Sequence, residues 1–332
     1  CRHRDPMTGD TLSWPRRARM MRAMRTSSVR PWAASLSAAL AVGLGAATPA
    51  AAADPAPGAK VKLISAGKGA KRALRFQVKE GDKQQITMSM EIEMAMAMGE
   101  MKMPPIKAPT TEMVMNTEVT QVASGRIRYK FDFGDARVTD DAGLPPEGVA
   151  QMKAALDGMK GLKGFAEVDD TGRTLQADFA ADGTVDPQVA QMLDNVKNSM
   201  DQLTAPFPTE PVGVGAKWSV ESNMDQMGFP LVQVATYELV QLKGDTGTLK
   251  VSIKQATTGA DMKLPNLPPG TTAKMLSLDS KGTGTMQFDL RKLAPSKGDT
   301  ALDSKMKTQI QAEGQTQIMG MDMKMQIRLT AK

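Results

Sequence analysis

Five methionines, Met94, Met96, Met98, Met101 and Met103, stand two and three residues apart beside Gly99 and Pro104-Pro105. Thioether sulfur is a soft, uncharged donor that selects Cu(I) or Ag(I) over hard cations, so this spacing offers a monovalent soft-metal site. The same residues belong to a longer series. Ile86, Met88, Met90, Ile92, Met94, Met96 and Met98 take every second position, and near the C-terminus Met319, Met321, Met323, Met325, Ile327 and Leu329 do the same. Flexible, polarizable Met side chains also suit a surface that accepts apolar molecules of varied shape. On that reading Met88, Met90, Met94, Met96, Met98, Met319, Met321, Met323 and Met325 line a site for a lipid or another apolar ligand or partner. A third reading is packing alone: with 27 Met and only 4% aromatic residues, Met replaces Phe and Tyr as core filler of a structural module.

Other chemistries find little footing. Gly213-x-Gly215 and Gly282-x-Gly284 lack the third Gly and the following helix that a dinucleotide loop needs, and Gly67-Lys68-Gly69 lacks the Ser or Thr of a phosphate loop. Asp140-Asp141 and Asp169-Asp170 could pair carboxylates for acid–base work. Both lie among turn signals, where Asp is expected to bond its own backbone. The only Cys and the only His are Cys1 and His3. No catalytic residue is assigned, and the chain reads as non-enzymatic.

Cys1 and His3 fall in what reads as a removable export leader, residues 1–53. Arg16, Arg17, Arg19, Arg22, Arg25 and Arg30 form a basic run, residues 32–53 carry no charge, and the stretch ends in Ala51-Ala52-Ala53 before Asp54. A basic region, an apolar region and a small-x-small end are the marks of a secretory signal, so Ala51 and Ala53 predict cleavage ahead of Asp54. An uncleaved anchor is the competing reading, since the uncharged run could span a bilayer, but alanine dominates it. The residues before about position 20 read as a start placed too far upstream, because Met20, Met21 and Met24 each leave a leader of ordinary length.

Cleavage would remove a Cys nucleophile, a His base and His/Cys zinc ligation together. It would also remove the basic balance. The chain has 42 basic and 36 acidic residues, and eight of its Arg and two of its Asp precede residue 54, so the remainder is neutral. Nucleic-acid binding needs a concentrated basic face, and none is present. The expectation is a protein outside the cytoplasm, periplasmic or secreted, with no transmembrane segment after cleavage.

The stripes must be positioned by strands, since period two puts one face of a strand toward apolar surroundings and the other toward water. Leu74-Arg-Phe76-Gln-Val78 alternates in the same way, as do Ile127, Tyr129, Phe131 and Phe133, and later Leu249, Val251 and Ile253. Asp169-Asp170-Thr171-Gly172 predicts a hairpin turn. Helical spacing occurs twice, in Val149, Met152, Leu156 and Met159, and in Val189, Met192, Leu193, Val196, Met200 and Leu203 after Asp186-Pro187. A weak repeat relates Gly125–Phe131, followed by Gly143-Leu-Pro-Pro146, to Gly247–Ile253, followed by Asn266-Leu-Pro-Pro269. The fold class expected is mainly β (α+β), with long antiparallel strands in two related halves and two helices in the first half. A half-open barrel is one arrangement that fits. Residues 54–70 form a tether and the approach to the first strand, 71–205 a first β unit with both helices, and 206–332 a second β unit, with Pro206–Pro211 at the junction.

One segment is distinctive. Pro208-Thr-Glu210-Pro211-Val212-Gly-Val214-Gly215-Ala-Lys-Trp218, together with Glu80-Gly81-Asp82, resembles a family of uncharacterised secreted bacterial proteins, a domain of unknown function. Its members share a Pro-x-Glu-Pro-Val-x-Val-Gly-x-x-Trp segment ahead of a second set of strands. The resemblance implies export and β architecture over nearly all of residues 54–332, and it implies no activity.

Overall fold

The computed structural model describes residues 59–99, 101–180, 206–226, 229–257, 272–312 and 315–332. Alternating apolar positions build strands in chain order. They are β1 (Lys60–Ser65), β2 (Lys68–Arg72), β3 (Lys83–Met98), β4 (Met101–Lys102), β5 (Ile106–Lys107), β6 (Thr110–Ala123) and β7 (Arg126–Asp140). Helix α1 (Pro146–Asp157) follows, then β8 (Lys163–Asp169) and β9 (Thr174–Ala180). The C-terminal part supplies β10 (Val212–Val214), β11 (Lys217–Gln226), β12 (Phe229–Lys243), β13 (Thr246–Thr257), β14 (Thr272–Asp289), β15 (Lys297–Ala312) and β16 (Gln315–Ala331).

Two antiparallel meanders make one sheet of 14 strands, in the order β1-β11-β12-β13-β14-β15-β16-β3-β6-β7-β8-β9, with β4 and β5 on β3. The meanders join where β16 pairs with β3, from Met319↔Met98 to Ala331↔Ile86. β10 and β2 form a separate two-stranded ribbon. β1 and β9 end the strand order without pairing to each other, so the sheet is not a closed barrel. Sheets this wide curl rather than stay flat, and the core records the curling. Trp218, Tyr237 and Leu249 from one meander share a single buried cluster with Ile127, Phe131 and Val168 from the other. The described residues accordingly form one compact unit.

The plug of that core is irregular chain. Leu74, Phe76 and Val78 are buried, yet the strand expected across Leu74–Val78 is absent. Phe76 N donates to Asp170 O and Gln77 N to Leu290 O, so the segment bonds turns from opposite meanders instead of one neighbouring strand. Its alternation reflects burial without a ladder. Phe207 lies in the junction and is also buried, 5.5 Å from Phe76, 6.2 Å from Trp218 and 5.0 Å from Phe288 between ring centres.

The first predicted helix is α1, with Pro146 in its first turn and its C-terminal end at Gly158. The second, over Val189–Leu203, lies outside the described residues, so one helix is seen among those described rather than two. The leader, with Ala51, Ala53, Asp54, Cys1 and His3, also lies outside them. The described residues contain no helix long and apolar enough to cross a membrane, which says nothing of β-barrels.

Candidate functional site: a methionine ladder

The two methionine stripes, more than 200 residues apart in sequence, are nearest neighbours in the sheet. Met319 stands opposite Met98, Met321 opposite Met96 and Met323 opposite Met94; Met325 faces Ile92, Ile327 faces Met90 and Leu329 faces Met88. Directly opposed residues point to the same side and lie about 5 Å apart at Cα, so every sulfur of both stripes shares one face. Neighbouring strands extend it. Met113 and Met115 of β6 oppose Met88 and Ile86, and Met306 of β15 opposes Met321.

Burial changes along this ladder. At its lower end Ile86 and Met115 belong to the core cluster, and Leu329 and Met113 pack against it. In the middle, Met323 is buried while Met88, Met90, Met94, Met96, Met319, Met321 and Met325 are partly exposed. At the tip Met98 is 44% exposed and Met101 71%. The chain turns back there through Gly99, whose φ of +59° is costly for a side-chain-bearing residue. Met101 comes to lie opposite Met98, and Met103 N donates to Met96 O at 2.8 Å, placing Met103 beside Met96. The tip is therefore two rows of three, Met319–Met98–Met101 and Met321–Met96–Met103. Of the five residues expected as a metal set, Met94 sits one row deeper, opposite Met323 and Ile106. Met319 and Met321 are the neighbours that spacing alone could not supply.

The same face carries a polar row that periodicity missed. Gln233, Gln255, Ser280 and Ser304 are aligned across β12–β15 and end against Met323. Gln255 Nε2 donates to Gln233 Oε1 at 3.0 Å, Ser280 Oγ donates to Gln255 Oε1 at 2.7 Å, and the Ser280 and Ser304 hydroxyls bond each other at 2.7 Å. Gln233, Ser280 and Ser304 are buried, and the chain of bonds satisfies them. Two rows nearer the tip, Thr308 opposes Met319 and Met275. It is 1% exposed, and its Oγ1 has no hydrogen-bond partner.

The opposite face of β3 and β16 is charged and internally matched. Arg328 Nη1 donates to Glu91 at 2.6 Å and its Nε lies 3.6 Å from Asp299. Lys107 Nζ donates to Asp140 at 3.0 Å. Bonds from the Ala142 N–H and from Lys107 hold the Asp140 carboxyl below its usual range, and Asp140 holds the Lys107 ammonium above its own. A hollow of about 380 Å³ on this side is edged by Glu91, Glu93, Lys107, Lys281, Asp303 and Lys324. In register the charges alternate as Lys107, Glu93, Lys324, Asp303 and Lys281. With Glu91 the rim of the hollow carries three charges of each sign, so neither dominates.

The aspartate pairs are turn residues. Asp169 accepts from Thr171 N and Oγ1 and from Arg173 N and Nε, and Asp140 and Asp141 accept from Ala142 N and Gly143 N. Among the described residues no group of three His, Cys, Asp or Glu is placed to hold a metal ion. The donors gathered on the ladder are thioethers.

Fold and site thus define an open sheet of long antiparallel strands with one methionine-laddered face. Residues 192–292 match the model of a family of unknown function (DUF6263), a span that includes the Pro208–Trp218 segment. No curated protein matches the chain. Among solved structures, the chain is similar to OccK11 (OpdR) of Pseudomonas aeruginosa at 9% identity, covering 78% of this chain and 100% of that one, with a TM-score of 0.22. A likeness that slight carries no argument about fold or activity.

Proposed function

We propose that this is a non-enzymatic exported envelope protein, periplasmic or secreted, that binds a lipid or another apolar ligand or partner through the methionine ladder. The observation that carries this reading is the exposure gradient along paired stripes. The same alternation that packs Ile86 into the core continues along β3 to Met98, and past the turn to Met101, at 44% and 71% exposure. A contiguous apolar strip left open on a soluble protein marks an interaction site. Met gives it adaptability, because three rotatable bonds and a polarizable sulfur fit many shapes. The core-filler role accounts for the lower part of the ladder, where Met115 is buried; it does not account for the tip.

Native mass spectrometry of the protein purified from its own envelope tests the binding. Co-purified lipid, lost in Met96→Lys and Met321→Lys variants, supports it. A clean apo mass that stays clean on titration with lipid and with an apolar dye would sink it. Export is tested separately, by fractionating cells that express the full chain and sequencing the mature N-terminus, which is expected at Asp54.

A further inference from the structure

We propose that the tip of the ladder is a Cu(I)/Ag(I) site, with Met98, Met101 and Met319 as its ligands and Met96, Met103 and Met321 as the row behind them. This is a second activity of the face and does not depend on binding of an apolar ligand. Three observations carry it. First, Met98 is flanked on both sides in register, by Met319 of β16 and Met101 of β4. Adjacent strands lie about 4.8 Å apart, and each thioether swings on three rotatable bonds. The three sulfurs can therefore converge on one small cation without moving the backbone.

Second, packing does not explain the sulfurs at this position. Met98 and Met101 are 44% and 71% exposed and Met103 is 36% exposed. Met is a weaker strand former than Val or Ile and loses more rotamer freedom when ordered. An exposed apolar strand tip gains nothing from it over a β-branched residue, whereas coordination needs the sulfur. Third, the two rows of sulfurs at the tip carry no charged side chain on their face. Alternation sends Ala97, Lys102 and Asp322 to the other side of the sheet from Met96, Met98 and Met321. An uncharged set of soft donors favours a soft monovalent ion and disfavours Mg²⁺, Ca²⁺ or Zn²⁺. Thioethers have no proton to lose, so affinity should be flat from about pH 5 to about pH 8, unlike a His or Cys site.

The test titrates the purified full-length chain with Cu(I), kept reduced by ascorbate, against a chromophoric Cu(I) chelator. The wild-type protein should withdraw copper from the chelator equally at both ends of that pH range. X-ray absorption at the copper edge should show a first shell of sulfur alone. The variant Met98→Leu/Met101→Leu/Met319→Leu preserves apolar volume, so it should retain its melting temperature. Its Cu(I) affinity should fall by at least about a hundredfold. If the triple variant does not fold, the highly exposed Met101→Leu alone should weaken binding by about tenfold, while Met113→Leu in the lower ladder should leave it unchanged. The proposal is overturned if the wild type takes no copper from the chelator, if nitrogen or oxygen dominates the first shell, or if the tip variants bind as the wild type does. A wild type that binds copper but takes up neither dye nor lipid would leave this site standing and remove the apolar-ligand reading.

Discussion

Single side chains on the ladder face show where the fold has settled for less than full satisfaction. Thr308 Oγ1 is buried beside Met275 and Met319 without a partner, and a buried hydroxyl that makes no bond keeps its desolvation cost. Val matches Thr in shape and strand preference. Thr308→Val is therefore expected to stabilise the protein by about 1 kcal/mol in urea unfolding, with an unchanged denaturant slope. Tyr237 offers a second test. It stacks on Trp218 with ring centres 5.7 Å apart, and burial pushes its phenol up to about 12 from 10.0. The folded state then holds the proton where the unfolded chain releases it, so stability is complete below about pH 10 and falls as pH rises toward 12. Between about pH 9 and about pH 12 the wild type should lose about 2–3 kcal/mol more than Tyr237→Phe, measured by urea unfolding at each pH.

Among the elements, the Pro208–Trp218 segment is explained by packing. Trp218 is fully buried and its Nε1 donates to Pro206 O at 2.9 Å; Arg75 fastens the same stretch by donating to Pro208 O and Thr209 O. Val212 is fully buried in β10. Gly213 lets β10 lie against β2, since a Cβ there would stand 2.4 Å from Lys68 O. Gly213→Ala is expected to destabilise by about 1–3 kcal/mol and to leave copper and apolar-dye binding intact, which thermal melts and titrations of the same sample would show. The Gly-x-Gly here thus serves close approach of two backbones. A resemblance carried by this segment speaks for architecture and leaves the chemistry of the ladder open.

For the molecule as a whole, the decisive contact is the one between its ends. β16, the last strand, pairs with β3 along nearly its full length, and β1 at the N-terminal end pairs with β11. The segments 54–205 and 206–332 therefore each lack a neighbour that only the other provides, and they share one core. Expressed separately, neither should show a cooperative urea transition, whereas mixing them should restore one; the full chain should unfold in a single step followed equally by circular dichroism and Trp fluorescence. Two independent transitions in the full chain would refute a shared core.

Much of this architecture was legible locally. Strict alternation located β3, β7, β13 and β16, the Asp169–Gly172 turn located the β8–β9 hairpin, and spacing of three and four located α1, because these patterns follow from the geometry of one element alone. The methionines too were visible as stripes, including their shared polarity. What alternation could not give is which strands become neighbours, since pairing depends on how the whole sheet curls to bury its core. The sequence therefore held two unconnected stripes and a five-residue metal motif. The fold drew Met319 and Met321 beside Met98 and Met96, set Met94 deeper, and made Leu74–Val78 a core plug instead of a strand. It also turned scattered Gln and Ser residues into one bonded row. Residue type determined that sulfur would lie on one side of each strand; long-range pairing decided that those sides meet, and that their tip stays open.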